Sequence, residues 1–336
     1  MATDKIILDH GSGGRSSHEL VEKYFLPRLG NSYLNELNDS AVFELGGAKL
    51  AFTTDSYVVD PIFFPGGDIG TLAICGTVND LAMRGARPCY LSIGFIIEEG
   101  FLINDLERIL SSIEKTALEA DIKIVTGDTK VVPKGATDKI FINTSGIGLV
   151  PAKINISGQN ARPGDAVLIN GSIGDHGMTI LNSRENLFPD SPMKSDASPL
   201  NHLVQIMIDT GSEIHVLRDP TRGGLGTTLN EIASQSQVGI EIFEETIPIN
   251  ESVLAASEIL GLDPLYMANE GKLVAFVPES AAEAVLAAMK ETTYGSNAAI
   301  IGKVKAENPG KVIMNTSIGG KRIVDMLTGE QLPRIC

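Results

Sequence analysis

The sequence predicts an α/β chain of two domains, each a mixed sheet covered by helices. Three observations point there. At 336 residues the chain is longer than one core usually serves. Apolar, β-rich runs alternate with segments of helical period in both halves. Between the halves, residues 151–164 are rich in Gly, Asn, Ser and Pro and lack apolar periodicity. The expected division is an N-terminal domain 1–155, a C-terminal domain 156–322 and a tail 323–336.

Segments 49–54 and 89–97 are apolar runs bounded by Gly and Pro and read as strands. Between them, 69–83 reads as a buried helix ended by Gly85. Segment 104–120 is amphipathic, with Leu106, Ile109, Leu110, Ile113 and Leu118 on one side. Its expected N-cap is Asn104, with Asp105 and Glu107 in the first turn, where the helix dipole favours acid. Strands 122–125 and 140–150 follow. Beyond the boundary come strand 166–169, helix 177–183, helix 200–217, helix 226–235 and strand 239–243. Helix 252–260, strand 272–277, helix 280–290 and strand 299–304 complete the order. Segment 184–199 holds three prolines and mixed charge and reads as an exposed loop.

Composition narrows the function. Hydrophobic residues at 43% and charged ones at 21% suit packed cores rather than a disordered chain. Lys and Arg total 27 against 42 Asp and Glu, a net charge of −15, which would repel nucleic acid and anionic lipid as main partners. A phosphate ligand stays possible where a divalent cation or backbone N–H groups neutralise it. Cys75, Cys89 and Cys336 are odd in number and form no Cys-x-x-Cys, which points to a reducing compartment. Residues 1–17 carry Asp4, Asp9 and a glycine cluster, so no secretory signal is expected. No apolar run reaches about 18 residues, so no membrane span is expected. The expectation is a soluble cytoplasmic protein.

Several constellations could carry chemistry. In Asp9-His10-Gly11-Ser12-Gly13-Gly14-Arg15 the glycines would let backbone N–H groups approach phosphate oxygens, or the segment is a mobile arm. It is not a P-loop. Asp39, Asp55, Asp80 and Asp128 each sit beside small or polar residues. Asp80 lies within an apolar helix and Asp55 closes an apolar strand, where an unpartnered carboxylate is costly. Together they could hold Mg²⁺ against substrate phosphates; singly, each reads equally as a cap or turn residue. Lys130 and Glu270 are candidate general bases or solvated charges. Arg218-Asp219-Pro220-Thr221-Arg222-Gly223-Gly224 is a turn before a helix that could bind an anion. Cys75 and Cys89 read as inert core residues. Cys336 ends a tail of about nine residues, able to span roughly 30 Å at ~3.3–3.6 Å each, and could carry a sulfur-bound group or equally be a frayed, chemically idle terminus.

Seven motifs in this order give the chain a family resemblance. They are His10-Gly11-Ser12-Gly13-Gly14, Thr54-Asp55-Ser56, Asn79-Asp80-Leu81-Ala82, Thr126-Gly127-Asp128-Thr129-Lys130-Val131, Asp219-Pro220-Thr221-Arg222-Gly223-Gly224, Ala268-Asn269-Glu270-Gly271 and Pro333-Arg334-Ile335-Cys336. The chain resembles the HypE family of hydrogenase maturation factors, within the aminoimidazole ribonucleotide synthetase (PurM-like) superfamily. The aspartate motifs mark the superfamily; Pro-Arg-Ile-Cys separates HypE from its relatives.

That resemblance implies a PurM-like fold: an N-terminal mixed sheet that forms a barrel with a second subunit, and a C-terminal α/β sandwich domain. It implies ATP and Mg²⁺ in the cleft under Gly11, Ser12, Gly13 and Gly14. Asp55, Asn79, Asp80, Asp128, Thr129, Asp219 and Arg222 would surround the nucleotide, with Asp39, Asp55, Asp80 and Asp128 on the metal. A HypF carbamoyltransferase would load Cys336, and the resulting thiocarboxamide would be dehydrated with ATP to a thiocyanate. Lys130 or Glu270 would accept protons. The cyanide would pass to iron on a HypC–HypD scaffold. Competing expectations are a PurM-like enzyme with a diffusible substrate, such as a selenophosphate synthetase, and a nucleotide-binding scaffold without turnover.

Overall fold

Gly46 and Gly47, both at positive φ (60° and 82°), fold the first strands into a hairpin, the turn that side chains with a Cβ resist. The computed structural model describes residues 5–329. Near its start, 3₁₀ residues Leu8–Gly11 lead through glycines into α1 (Arg15–Leu20), a π turn (Val21–Phe25) and α2 (Leu26–Leu29). The glycine-rich segment is therefore folded rather than a free arm.

The hairpin is β1 (Ala41–Leu45) and β2 (Ala48–Tyr57). A short ribbon, β3 (Phe63–Phe64) and β4 (Gly67–Asp68), feeds α3 (Ile69–Met83). Then come β5 (Arg87–Glu98), α4 (Ile103–Glu119), β6 (Lys123–Val132) and β7 (Ile140–Leu149). The five long strands form one sheet ordered β1-β2-β7-β5-β6, antiparallel except for the β5–β6 pair that α4 connects. Every residue of α3 except Thr71 and Asp80 is buried, as expected of a helix apolar on all sides. Its Asp68 cap accepts from Thr71 N–H at 2.9 Å. Strand β6 at the edge is exposed along nearly its whole length, and Phe52, Tyr90, Val125 and Val131 stand in solvent.

Residues 150–164 contain no helix or strand. The second half comprises β8 (Asp165–Ile169), α5 (Asp175–Glu185), α6 (Asn201–Asp209), β9 (Val216–Arg218), α7 (Gly224–Ser236) and β10 (Gly239–Phe243). It continues with α8 (Glu251–Leu260), β11 (Val274–Pro278), α9 (Glu279–Lys290), β12 (Ala299–Lys305), β13 (Val312–Asn315) and β14 (Lys321–Val324). Seven strands form a sheet ordered β14-β13-β10-β12-β8-β11-β9. Leu225, Leu229 and Ile232 of α7 pack on one face. Leu203, Val204 and Met207 of α6 and Val285 and Met289 of α9 cover the other, and Ala82 and Met83 of α3 join that second cluster. The mixed α/β class expected from the sequence is the one observed.

Several local expectations need correction. The helix expected over 200–217 stops at Asp209: Gly211 takes φ 73°, and the chain turns to pair β9 with β11. Helix α4 starts at Ile103 behind Leu102, not behind an Asn104 cap. Strand 122–125 runs on to Val132, because parallel pairing with β5 carries it through Asp128 and Lys130. Cys89 is half-buried rather than core. Residues 323 and 324, placed in the tail, belong to β14. Segment 184–199 is an exposed loop only in its first part: Glu185, Asn186, Leu187, Pro189, Asp190 and Pro192 are exposed, after which it runs inward, with Met193 and Ser198 buried. Among the described residues no helix is long and apolar enough to cross a membrane.

Because Ile74 is fully buried in the α3 core, Ile74→Ala should lower unfolding free energy by about 2–5 kcal/mol. Urea denaturation measures it, with the m-value unchanged.

Candidate active site

Helix α3 delivers Asn79 and Asp80 to the seam between the two halves. Asn79 is buried, and each end of its amide works there. Its Nδ2 donates to the Ser198 carbonyl at 3.1 Å and the Glu270 carbonyl at 3.4 Å, while Oδ1 accepts from Leu200 N–H at 2.8 Å. One turn of helix is thereby tied to two segments of the C-terminal half.

Asp80 lies beside the β2 residues its helix packs on. The Thr53 hydroxyl sits 2.8 Å from Asp80 Oδ2 and 2.9 Å from the Asp39 carbonyl. Burial pushes the Asp80 carboxyl well above the usual carboxylate range, and Asp219, Asp55 and Asp39 push it further. Burial likewise raises Asp55, which Arg222 partly offsets. Asp39 is lifted to about 6 by burial although Arg218 Nε lies 2.7 Å from its Oδ1. Asp219 follows β9 directly, and burial with Asp39 beside it raises its carboxyl to about 8. Burial raises Glu270 well above its usual range, helped by Asp196, Asp219 and Asp55.

These five carboxylates form one acidic site, linked by the charges that act between them, and the cations that bear on it include Arg84, Arg218 and Arg222. Arg218 is buried and committed to Asp39 and to Glu231, its Nη2 lying 2.6 Å from Glu231 Oε2. Arg222 is exposed and donates to the Gly11 carbonyl at 3.3 Å. That contact ties the glycine-rich segment to the site. Gly13, at φ 81°, sits so close that a Cβ there would fall 2.7 Å from Arg222 Cβ. Ser17 Oγ accepts from Gly13 N–H at 2.9 Å and Arg15 N–H donates to the Leu327 carbonyl at 2.9 Å, so the turn is fastened at both ends.

Such crowding suits a divalent cation. Carboxylates that raise one another's proton affinity are stabilised by a positive ion, and Asp39 Oδ2 is buried without a hydrogen-bond donor. Among the described residues no three His, Cys, Asp or Glu converge into a complete cage.

The structure thus brings Asp39, Asp55, Asp80, Asp219, Arg222 and Glu270 within electrostatic reach of one another, with Asn79 bonded to Glu270 and Arg222 to Gly11. It leaves Asp128, Thr129 and Lys130 apart. They lie on the exposed edge strand β6, where Lys130 Nζ and Asp128 Oδ2 pair at 3.0 Å with both side chains mostly in solvent. Cys336 lies outside the described residues. Sequence reasoning gave no role to Arg218, although it stands next to Asp219. It also missed Asp196, which accepts from Glu270 and Gly271 N–H groups, each at 3.1 Å. A lone aspartate in a Pro-rich segment carried no signal.

Two family models cover most of the chain: "AIR synthase related protein, N-terminal domain" matches residues 37–150, and the corresponding C-terminal domain matches residues 162–315. The carbamoyl dehydratase HypE of Azotobacter vinelandii is 55% identical over 97% of this chain and 96% of its own length. The chain belongs to the HypE family. Solved HypE structures agree with its fold. One of HypE with ATP is 55% identical with a TM-score of 0.83, covering 99% of this chain and 100% of that one. A HypE–HypF complex contains a chain 51% identical with a TM-score of 0.87, covering 92% of this chain and 99% of that one.

A pH dependence follows from Asp219. Its carboxyl is raised from 3.8 to about 8 in the folded protein. The stability it contributes is full below its ordinary range and is lost as pH climbs towards 8. Without divalent cations, Asp219→Asn should flatten the fall in Tm between pH 4 and pH 8, measured by thermal unfolding.

Proposed function

We propose that the chain uses ATP to dehydrate an S-carbamoyl group on its own Cys336 to a thiocyanate, the source of cyanide for the iron of [NiFe]-hydrogenase centres. As a member of the HypE family it is an ATP-dependent carbamoyl dehydratase. The observation that carries the reading is the acidic site whose Arg222 bonds Gly11 of the glycine-rich segment, with the Leu327 carbonyl accepting from Arg15 N–H at the end of that segment. From Leu327 to Cys336 the nine intervening steps reach roughly 30 Å at ~3.3–3.6 Å each. A thiol on so short a lead can enter that site.

The carbamoyl oxygen is a poor leaving group until phosphorylated. It attacks the γ-phosphorus as the β–γ phosphoanhydride breaks and ADP departs; the C–O bond then breaks, phosphate leaves, and loss of both N–H protons completes the nitrile. Glu270 is the proposed base: burial and its acidic neighbours give its carboxylate a high affinity for protons. Residues 11–14 and Arg222 hold the phosphates, with Asn79 and Asp219 beneath. Asp55 and Asp80, with Asp39 behind them, would hold magnesium, which when bound supplies positive charge against that developing on the γ-phosphate.

Asp128, Thr129 and Lys130 join this pocket from a second copy of the chain. Strand β6 is an unpaired edge flanked by exposed Tyr90, Val125 and Val131, the surface a homodimeric barrel would bury. Lys130 then binds phosphate or takes the second proton. We assign nucleotide binding and dimerisation to 1–155 and the covering α/β sandwich to 156–322. A HypF carbamoyltransferase loads Cys336, since a HypE relative has been solved with HypF. A HypC–HypD scaffold receives the cyanide, and the work is cytoplasmic.

Intact-mass analysis after incubation with carbamoyl phosphate, HypF and Mg-ATP should show a carbamoyl adduct that then loses one water. Removal of Cys336 should abolish the adduct and leave ATP affinity within twofold. An adduct on another residue, or full turnover without Cys336, would favour a diffusible substrate instead. Asp80→Asn and Asp55→Asn should each weaken Mg-ATP binding at least tenfold by calorimetry.

A further inference from the structure

We infer that Asp196 is a positioning residue for Glu270, acting from a loop outside every motif that carries the family resemblance. The inference rests on the reading of Glu270 as the base. Asp196 lies in the 186–200 segment, and its side chain is only 4% exposed. Burying a carboxylate there is costly unless its oxygens are satisfied. Three donors satisfy them: Oδ1 accepts from Glu270 N–H at 3.1 Å, and Oδ2 from Gly271 N–H at 3.1 Å and Lys272 Nζ at 3.0 Å.

Gripping two successive N–H groups with the two oxygens of one carboxylate fixes the peptide between them. The other side of Glu270 is held as well, because its carbonyl accepts from Asn79, which also holds Ser198 of the same loop. Gly271 permits the approach: a Cβ there would collide with the Asp196 carbonyl and the Ser198 hydroxyl. Lys272 holds Asp196 in its charged form, and that charge adds to burial in raising the proton affinity of Glu270. Asp196 has no hydrogen bond to Arg222 or to residues 11–14, so it bears on the base and not on the phosphate grip. A misplaced proton acceptor slows the chemical step without loosening the substrate.

The test uses the full-length protein with its tail carbamoylated by HypF, following dehydration in a single turnover at saturating Mg-ATP and ATP affinity by calorimetry. Asp196→Asn should slow dehydration at least tenfold and change the ATP Kd less than twofold. In a Glu270→Asp background, where the carboxylate is already withdrawn, Asp196→Asn should cost less than threefold more. Asp196→Glu, which keeps the charge but displaces the peptide, should also slow the step with ATP affinity intact. Dehydration within twofold of normal in Asp196→Asn would overturn the inference. So would fully multiplicative losses in the double variant, or parallel loss of ATP affinity in both Asp196 variants. Glu270→Gln separates the two levels: normal turnover would remove Glu270 as base, whereas a dead Glu270→Gln beside a normal Asp196→Asn would sink the positioning role alone.

Discussion

Like charges crowded into a half-buried space are the constraint around which this molecule is arranged. Asp39, Asp55, Asp80, Asp219 and Glu270 come from β-strand ends, a helix and loops of both halves; burial raises the proton affinity of each, and the charges of Asp39, Asp55 and Asp219 raise others further. No fold tolerates that repulsion for packing's sake. Arg218 offsets part of it, wedged between Asp39 and Glu231. The remainder is what the proposed binding of a cation and its phosphates would relieve. The chain's net charge of −15 suits the same end, since a metal-bound nucleotide arrives with much of its own charge already neutralised.

Much of this was legible in the residues. Helix α3 announced itself by being apolar on all sides, and Asp80 stood out because a carboxylate inside such a helix needs a reason. Asp55 stood out in the same way, closing an apolar strand, whereas Asp39 and Asp219 read equally well as cap or turn residues. What could not be read was which of them meet. Asp128 and Lys130 carry as clear a motif as Asp80, yet lie on an exposed edge, because sheet order is set by long-range pairing that no local period records. Asp196 was invisible for the opposite reason. Its partners are the N–H groups of Glu270 and Gly271, and main-chain donors leave no trace in side-chain identity. The end of helix α6 was misplaced because apolar residues of β9 prolong the apparent helical period beyond Gly211.

The 186–200 segment shows how an irregular stretch can be as well determined as a helix. Met193 and Ser198 are buried, Asp196 is satisfied by three donors, and Asn79 fastens the carbonyl of Ser198 and the N–H of Leu200. Pro199, buried at its inner end, removes a donor that would otherwise need a partner there.

Asn79 also limits how the pocket can open. Swinging the halves apart about the 150–164 connection, as a hinge, would leave its amide without partners and strip Ala82 and Met83 from the α6 and α9 cluster they share. Rigid-body gaping is therefore the costly route. The turn at 11–14 is held by a handful of hydrogen bonds near the surface, so under the proposed function the door for nucleotide traffic is a lid and not the walls.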